Sequence, residues 1–293
     1  MITVSDKAIF ETQLCTATEL SLTATLECGQ CFRWQNFSGL RASCGSESGQ
    51  GVLKYGGIVS GFPVFLWLSG SRVFIRGFGG VEFWRDYFDL CRDYSEILPQ
   101  FGDDSFTLSA IEFGKGLRIL RQDAWEMLCS YLISQNNNIP RISASIAKLC
   151  RYCGEVVSLD GVEFFKFPSA GVVGGLGEGK LRDFGVGYRA GYILDAAKAV
   201  NNGEINFEQL RKLSTVEARS RLLELRGVGA KVADCVLLFG LGKLDAFPVD
   251  TWMEKAKKYY EKNLNAEKFG KFAGIAQEYI FYYIRTGLGK KNK

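Results

Sequence analysis

The strongest constraint on the fold of this chain is a pair of glycines between two stretches that read as helices. Gly227 and Gly229 allow a tight turn that residues with a Cβ resist. Apolar residues recur at helical spacing before the turn, in Val216–Leu225, and after it, in Ala230–Gly240. The pattern predicts a helix, a short turn and a second helix. The amides of Gly227, Val228 and Gly229 would then face outward near the N-terminus of the second helix, where they suit a phosphate oxygen.

Two ionisable residues are placed by this hairpin. Lys231 falls in the first turn of the second helix, and Asp250 follows Pro248 where a later helix would take its cap. A plain helical hairpin with an exposed lysine and a capping aspartate explains these residues about as well as a site does. The chain contains no histidine, so any acid–base chemistry would fall to Lys, Asp, Glu, Tyr or Cys.

Further segments combine glycine, amide, arginine and aromatic side chains in patterns typical of sites. They are Cys28–Trp34 with Gly29 inside it, the three asparagines of Ser134–Arg141, the tripeptide Gly187–Arg189, and the pair Gln277 and Phe281, which share one helix face. Each has an ordinary alternative. These are a kinked strand, an exposed connection, a solvated helix face and core packing, respectively.

Together these segments resemble the helix-hairpin-helix base-excision glycosylases, and among them the 8-oxoguanine DNA glycosylases. The resemblance runs from about Leu22 to about Phe281. It implies an α+β fold, with an N-terminal antiparallel β-sheet domain with helices (TBP-like) and then an all-α helix-hairpin-helix glycosylase domain in two helical lobes. We expect the first domain to span residues 1–115 and the second residues 116–293.

The resemblance assigns four residues to the damaged base. Gly29 would present its carbonyl to the hydrogen on N7 of 8-oxoguanine, where guanine carries only a lone pair, because glycine permits close backbone approach. Gln277 would bond the Watson–Crick edge. Cys235 and Phe281 would lie on the two faces of the flipped ring, as in other base-flipping enzymes.

The resemblance also implies the reaction. Lysine is nucleophilic only when its amine is neutral, and the resemblance implies that Lys231 attacks C1′ of the deoxyribose to give a Schiff base. Asp250 would stabilise the positive charge on the sugar and help to orient or deprotonate the amine. β-Elimination of the 3′ phosphate would follow, which makes the enzyme a bifunctional glycosylase and lyase.

Four more residues match positions that contact the DNA in this family. Asn136 would fill the gap left by the flipped base, and Tyr188 would act as an aromatic wedge. Arg141 and Arg189 would read the cytosine opposite the lesion, whose edge offers acceptors to guanidinium donors. One position departs from the family pattern, because Trp252 stands where eukaryotic relatives have a histidine that contacts a phosphate.

Composition limits the other possibilities. The net charge of +4 is compatible with a nucleic-acid partner but does not require one. No apolar run could span a bilayer, and the first residues do not read as a signal peptide. We expect an intracellular protein, in the cytoplasm or nucleoid of a bacterium or archaeon or in a eukaryotic nucleus, and not a secreted one. It would be a monomer whose partner is double-stranded DNA with oxidised guanine.

The nine cysteines include two C-x-x-C pairs, Cys28/Cys31 and Cys150/Cys153, which are far apart in the chain. Zinc needs four ligands of matched geometry, so reduced thiols are the better interpretation. No cysteine follows Cys235, which excludes the C-terminal iron–sulfur cluster of some relatives. We expect neither a cofactor nor a metal.

The coarse secondary structure is β-rich to about residue 80 and helical from about residue 116. We predict strands at Ile58–Trp67 and Val73–Phe78, and helices at Val81–Cys91, Ala124–Ser134, Arg141–Cys153, Arg189–Asn201, Phe207–Leu213, Val216–Leu225, Ala230–Gly240, Thr251–Tyr260 and Lys268–Arg285. We also predict a polar loop at Gly45–Gly51 and a basic tail at Gly289–Lys293.

Two rival functions remain open on the sequence alone. One is a glycosylase of the same superfamily that acts on oxidised pyrimidines or alkylated bases. The other is a non-catalytic DNA-binding protein that uses the hairpin only to grip phosphates. The Gly29 segment argues against the first rival, and the presence of Asp250 after Lys231 argues against the second.

Overall fold

A computed structural model describes residues 8–38, 53–102, 104–260 and 264–288. The predicted loop Gly45–Gly51 and the predicted tail Gly289–Lys293 lie outside these residues. No helix in the described ranges is long and apolar enough to cross a membrane.

An antiparallel sheet of five strands forms the N-terminal part, with the strand order β1-β5-β4-β3-β2. The strands are β1 (Phe10–Thr16), β2 (Gln35–Asn36), β3 (Lys54–Val59), β4 (Phe62–Ser69) and β5 (Arg72–Gly77). One face of this sheet packs on a core that includes Leu66, Ile75 and Trp84, because alternate residues of a strand point to the same face.

The single strand predicted at Ile58–Trp67 is wrong, because two strands meet there in a hairpin. Ser60 and Gly61 form the turn between β3 and β4 and have φ values of 48° and 81°. Two consecutive positive φ angles are typical of the tight hairpin turns that match strand twist. The apolar run on both sides of Ser60 and Gly61 hid this turn.

Helices make up most of the remaining chain. They are α1 (Leu22–Leu26), α2 (Val81–Tyr87), α3 (Tyr94–Ile97), α4 (Ser105–Phe113), α5 (Ala124–Ser134), α6 (Ile139–Cys153), α7 (Ala170–Gly174), α8 (Glu178–Asp183), α9 (Ala190–Asn201), α10 (Phe207–Lys212), α11 (Thr215–Leu223), α12 (Ala230–Cys235), α13 (Thr251–Ala256) and α14 (Ala273–Tyr282). The predicted helix Ala124–Ser134 is confirmed together with its cap, because the Asp123 side chain accepts a hydrogen bond from the Glu126 amide.

Several helices are shorter in the structure than predicted, or change from α-helix to π-helix or 3₁₀-helix near one end. α12 gives way after Cys235 to a π-helical turn, Val236–Gly240, and α14 continues into a second one, Tyr283–Leu288. α13 ends in the short 3₁₀ segment Lys257–Tyr259. π-Helical turns are rare and often lie at functional sites.

The prediction that the chain after residue 116 is purely helical is wrong at one place. A hairpin of β6 (Val156–Leu159) and β7 (Val162–Phe165) turns at Asp160 and Gly161, both with positive φ. Leu159 and Phe164 pack with Ile58 and Phe65 against the second face of the large sheet. The hairpin therefore attaches the helical part of the molecule to the sheet.

The segment between α1 and β2 runs along the boundary between the sheet core and the helical core. The buried Gln30 side chain fixes it, donating to the carbonyls of Thr25 (3.0 Å) and Arg118 (2.7 Å) and accepting from the Leu120 amide (2.8 Å). Arg33 adds an ion pair with Glu126 at 2.8 Å. These bonds hold Gly29, the neighbour of Gln30, in one place relative to the helices.

Candidate active site

One pocket in the helical part collects side chains from widely separated stretches of the chain. Its walls are formed by Gly29, Tyr131, Lys231, Cys235, Phe239, Pro248, Asp250, Gln277, Glu278 and Phe281. All six residues that were predicted for catalysis and for contact with the damaged base are among them. Four α-helical or π-helical segments and two loops supply the walls.

Lys231 projects into the pocket from the first turn of α12. Its amine lies 3.3 Å from the Ser134 hydroxyl and 4.7 Å from the centroid of the Tyr131 ring. The side chain is half-buried. Both contacts are made by the amine itself, and Lys231 is among the residues that line the pocket.

Asp250 reaches the same pocket from the N-terminus of α13. One carboxylate oxygen accepts hydrogen bonds from the amides of Trp252 (2.9 Å) and Met253 (3.0 Å), which is the capping geometry predicted from the sequence. Lys231 and Asp250 do not form a salt bridge with each other in the described structure. Both groups nevertheless line the same pocket.

The hairpin before Lys231 is fixed by close packing. Gly227 has φ of +84°, and a Cβ at this position would lie 2.3 Å from Cγ of Tyr192. The Val228 amide donates to the Leu225 carbonyl at 3.1 Å. The expectation that all three turn amides face outward is therefore wrong for Val228. Gly229 has open space around its Cβ position.

Gly29 also needs to be glycine for a structural reason. Its φ is +109°, a conformation that residues with a Cβ rarely adopt. A Cβ there would lie 3.4 Å from Cδ1 of Ile139 and 3.6 Å from Cε1 of Phe281. These distances are ordinary contacts, so the positive φ and not crowding is what favours glycine at this position of the pocket lining.

The rest of the pocket lining mixes apolar and polar side chains. Cys235 is buried, and burial raises the pKa of its thiol to about 12 despite the opposing effect of Lys231, so the thiol is neutral at pH 7. Gln277 is 3% exposed, and its Oε1 has no hydrogen-bond partner among the described residues. Phe281 belongs to the same lining and is half-buried.

Asn136 lies in the loop between α5 and α6 and is the free member of the asparagine run. The Asn137 side chain donates to the Ile133 carbonyl at 3.2 Å, and Asn138 caps α6 by accepting from the Arg141 amide at 3.1 Å. Asn136 has a left-handed φ of 45°, its side chain is exposed, and no hydrogen bond to that side chain is seen in the described residues.

The two predicted cytosine-reading arginines have different surroundings. Arg141 is exposed on the first turn of α6. Arg189 is 7% exposed, and its guanidinium donates to the carbonyls of Gln135, Asn136 and Val186. In this structure Arg189 therefore holds the backbone of the asparagine loop and offers few free donors to a base.

Tyr188 is the exposed aromatic residue beside Arg189. It is 58% exposed, and its ring packs edge-on against Tyr192 with centroids 6.1 Å apart. Tyr192 also packs on Gly227. The predicted wedge and the predicted phosphate-binding turn consequently rest on the same aromatic residue.

Several residues of the pocket were not predicted. Tyr131 and Ser134 contact Lys231, Phe239 belongs to the π-helical turn after α12, and Glu278 follows Gln277. The sequence signal for Tyr131 and Ser134 was their three-residue spacing at the end of α5, immediately before the asparagines. Nothing in the sequence pattern separated Glu278 from a solvent-exposed helix residue.

The cysteines do not form a metal site in the described part of the chain. The eight described cysteines are free, and no cluster of three potential Cys, Asp or Glu ligands occurs among the described residues. Trp252, the departure from the family pattern, lies 4.2 Å from the Lys255 amine, which contacts its ring.

The fold and the site are those of the helix-hairpin-helix DNA glycosylases. The hairpin with its glycine turn stands beside a pocket that holds both an amine and a carboxylate, and an exposed loop lies next to that pocket. Comparison with known proteins supports this class. A family model described as 8-oxoguanine DNA glycosylase, N-terminal domain, matches residues 78–128.

Relatives and solved structures cover most of the chain. The Clostridium acetobutylicum 8-oxoguanine glycosylase/lyase, solved with double-stranded DNA containing cytosine opposite 8-oxoguanine, is 34% identical with a TM-score of 0.83, over 96% of this chain and 98% of that chain. The N-glycosylase/DNA lyase OGG1 of Arabidopsis thaliana is 31% identical over 91% of this chain and 78% of its own length. The probable N-glycosylase/DNA lyase of Methanothermobacter thermautotrophicus is 31% identical over 68% of this chain and 72% of its own length. The chain belongs to the 8-oxoguanine DNA glycosylase/lyase family.

Proposed function

We propose that this protein excises 8-oxoguanine paired with cytosine from duplex DNA and then cleaves the DNA backbone by β-elimination. The observation that carries the proposal is that the Gly29 backbone and the Lys231 amine line one pocket. A group that can distinguish the lesion from guanine therefore lies beside a group that can attack the sugar.

Recognition of the lesion begins at Gly29. Its carbonyl accepts the hydrogen on N7 of 8-oxoguanine, and the same oxygen would face the N7 lone pair of guanine. A buried acceptor left without a donor costs about 1–3 kcal/mol. Gln277, whose Oε1 has no partner in the described part of the chain, bonds the Watson–Crick edge, and Cys235 and Phe281 hold the two faces of the ring.

The chemistry uses Lys231 and Asp250. As the glycosidic bond breaks, the sugar gains positive charge at C1′, and the Asp250 carboxylate stabilises it. The neutral Lys231 amine attacks C1′, and ring opening gives the Schiff base. The Schiff base acidifies the C2′ hydrogens, so the 3′ phosphate leaves by β-elimination. This sequence requires neither a cofactor nor a metal.

The surface around the pocket receives the duplex. Asn136, whose exposed side chain makes no hydrogen bond among the described residues, enters the gap left by the flipped base, and Tyr188 acts as a wedge beside it. The exposed Arg141 reads the opposite cytosine, and Arg189 supports the loop that carries Asn136. The Gly227 and Gly229 amides and the N-terminus of α12 bind a backbone phosphate.

A protein with this substrate acts where the genome is kept. We place it in the cytoplasm or nucleoid of a bacterial or archaeal cell, or in the nucleus of a eukaryotic one.

A lesion panel tests the proposal. We expect the purified protein to release 8-oxoguanine opposite cytosine and to nick the strand, with much slower cleavage of thymine glycol and 3-methyladenine duplexes of the same sequence. Lys231→Gln should abolish nicking, because the amine can no longer attack C1′. Equal cleavage of thymine glycol would favour a different substrate. Equally tight binding of undamaged DNA without cleavage would favour a DNA-binding protein.

A further inference from the structure

The side chain of Glu278 is a buried carboxyl group in the wall of the pocket. Excision by Lys231 and Asp250 alone does not use this carboxyl group. It is 2% exposed, and it lines the pocket together with Lys231, Asp250 and Gln277. It lies on α14 directly after Gln277, which is proposed to bind the base. A buried carboxyl at such a place needs a partner, a proton or a function.

The surroundings of Glu278 leave one of its oxygens unoccupied. Oε1 has no hydrogen-bond partner among the described residues. Four buried side-chain polar atoms of the described residues have no hydrogen-bond partner. Besides Oε1 of Glu278, they include Oε1 of Gln277 and Nε of Arg285. Gln277, Glu278 and Arg285 all belong to α14 or the π-helical turn after it. The hydrogen bonding of this wall is therefore incomplete without a ligand.

We propose that Glu278 is a catalytic acid, which enters the reaction as a neutral carboxylic acid and protonates the purine as it leaves. This inference rests on the proposed function. The neutral form suits this buried position, because a protonated carboxyl can be buried at a far lower cost than a carboxylate.

The step balances in atoms and charge. The C1′–N9 bond breaks and its electron pair goes to the purine, which takes the proton of Glu278 and leaves as a neutral base. The Lys231 amine forms the new bond to C1′ and becomes positively charged. Glu278 becomes a carboxylate. The two opposite charges produced in this step lie on two walls of one pocket, so each stabilises the other.

The charged and titratable groups around Glu278 agree with this role. Burial raises its pKa to about 7, against the opposing effects of the Cys28 thiol and of the positive charges of Arg285 and Lys231. The Asp250 carboxylate adds to the increase. Glu278 in turn raises the pKa values of the nearby groups Cys31, Cys235 and Tyr131.

A general acid works best when its pKa is near the working pH. Glu278 and Asp250 thus form a pair of carboxyl groups in contrasting environments. Asp250 accepts two amide hydrogen bonds, which suits a carboxylate. Glu278 is buried, and one of its oxygens has no partner within the described ranges, which suits an acid. Such contrasts are typical of sites where one carboxyl donates a proton and the other stabilises positive charge.

Glu278→Gln tests the proposal, because glutamine keeps the volume and the hydrogen-bonding capacity but has no proton to transfer. We expect single-turnover release of 8-oxoguanine to fall by roughly 100-fold at neutral pH. In the wild type the rate should decline as pH rises above about 7, where Glu278 ionises. That decline should be absent in the variant.

Two controls separate this role from a structural one. A duplex with a preformed abasic site has no base to release, so Glu278→Gln should nick it at the wild-type rate if the pocket is intact. Glu163→Gln, at an exposed position of β7, should change neither activity. The proposal is overturned if Glu278→Gln releases 8-oxoguanine at the wild-type rate with an unchanged pH profile. It is also overturned if both activities fall equally. Failure of the wild type to release 8-oxoguanine would instead refute the proposed function.

Discussion

At the scale of single residues, the pocket depends on side chains whose polar atoms are only partly used inside the protein. The Lys231 amine contacts the Ser134 hydroxyl and the Tyr131 ring, and Asp250 has one oxygen engaged as a helix cap. Gln277 and Glu278 each have one oxygen without a hydrogen-bond partner among the described residues. Unused donors and acceptors in a buried wall lower stability. Their accumulation in one pocket is the pattern expected where a ligand completes the bonds.

Burial of Glu278 should make stability depend on pH. Its pKa rises from 4.5 in the unfolded chain to about 7 in the folded one, so between these values the folded state binds more protons. The free energy of unfolding should therefore fall as pH rises through this window, by on the order of 3 kcal/mol. Glu278→Gln should flatten this dependence. Urea unfolding followed by tryptophan fluorescence at both ends of the window measures it, and an unchanged slope would contradict the assignment.

The sequence predicted which residues line the pocket better than it predicted the contacts that surround them. Gly29, Lys231, Asp250 and Gln277 stand in motifs whose spacing is characteristic. Glu278 was missed because a glutamate within a helix normally faces solvent, and only tertiary packing buries it. Arg189 was assigned to the cytosine for its position, but its guanidinium is occupied by carbonyls of the asparagine loop.

At the scale of secondary structure elements, the two glycines of the hairpin serve different purposes and should respond differently to alanine. Gly227→Ala places a methyl in a positive-φ position and 2.3 Å from Tyr192, so it should destabilise the protein by about 1–3 kcal/mol. Gly229 has φ of −92° and open space, so Gly229→Ala should cost less than about 1 kcal/mol yet weaken DNA binding by crowding the phosphate.

Thermal unfolding and the affinity for an abasic-site duplex distinguish the two variants, and each serves as the control for the other. A larger loss of stability in Gly229→Ala than in Gly227→Ala would show that the packing of the turn has been assigned incorrectly. Wild-type DNA affinity of Gly229→Ala would remove this turn from the DNA-binding surface.

Helices were predicted correctly where the sequence showed a clear helical periodicity of apolar residues or a capping residue, as in α5. The two errors that concern strands share one cause, which is a two-residue hairpin turn next to apolar residues. Ser60–Gly61 divides one predicted strand into two, and Asp160–Gly161 forms a hairpin in a region predicted as helical. Asp-Gly between alternating apolar residues is a strong hairpin signal, so β6 and β7 were within reach of the sequence. The Ser-Gly turn was a weaker signal.

At the scale of the whole molecule, the site exists because the sheet part and the helical part are held in one arrangement. Gly29 comes from the boundary segment that Gln30 and Arg33 fix in place, whereas Lys231 and Phe281 come from helices near the other end of the chain. Local patterns cannot predict such a meeting, because it depends on packing between residues far apart in sequence. The resemblance to a family supplied that long-range information.

The most direct test of the central claim is to trap the covalent intermediate and locate it. Borohydride should reduce the Schiff base formed on a duplex with 8-oxoguanine opposite cytosine, and peptide mapping by mass spectrometry identifies the modified residue. We expect one adduct, on Lys231, which is absent in Lys231→Gln. An adduct on another residue, or release of 8-oxoguanine with no adduct at all, would contradict attack by this amine on C1′.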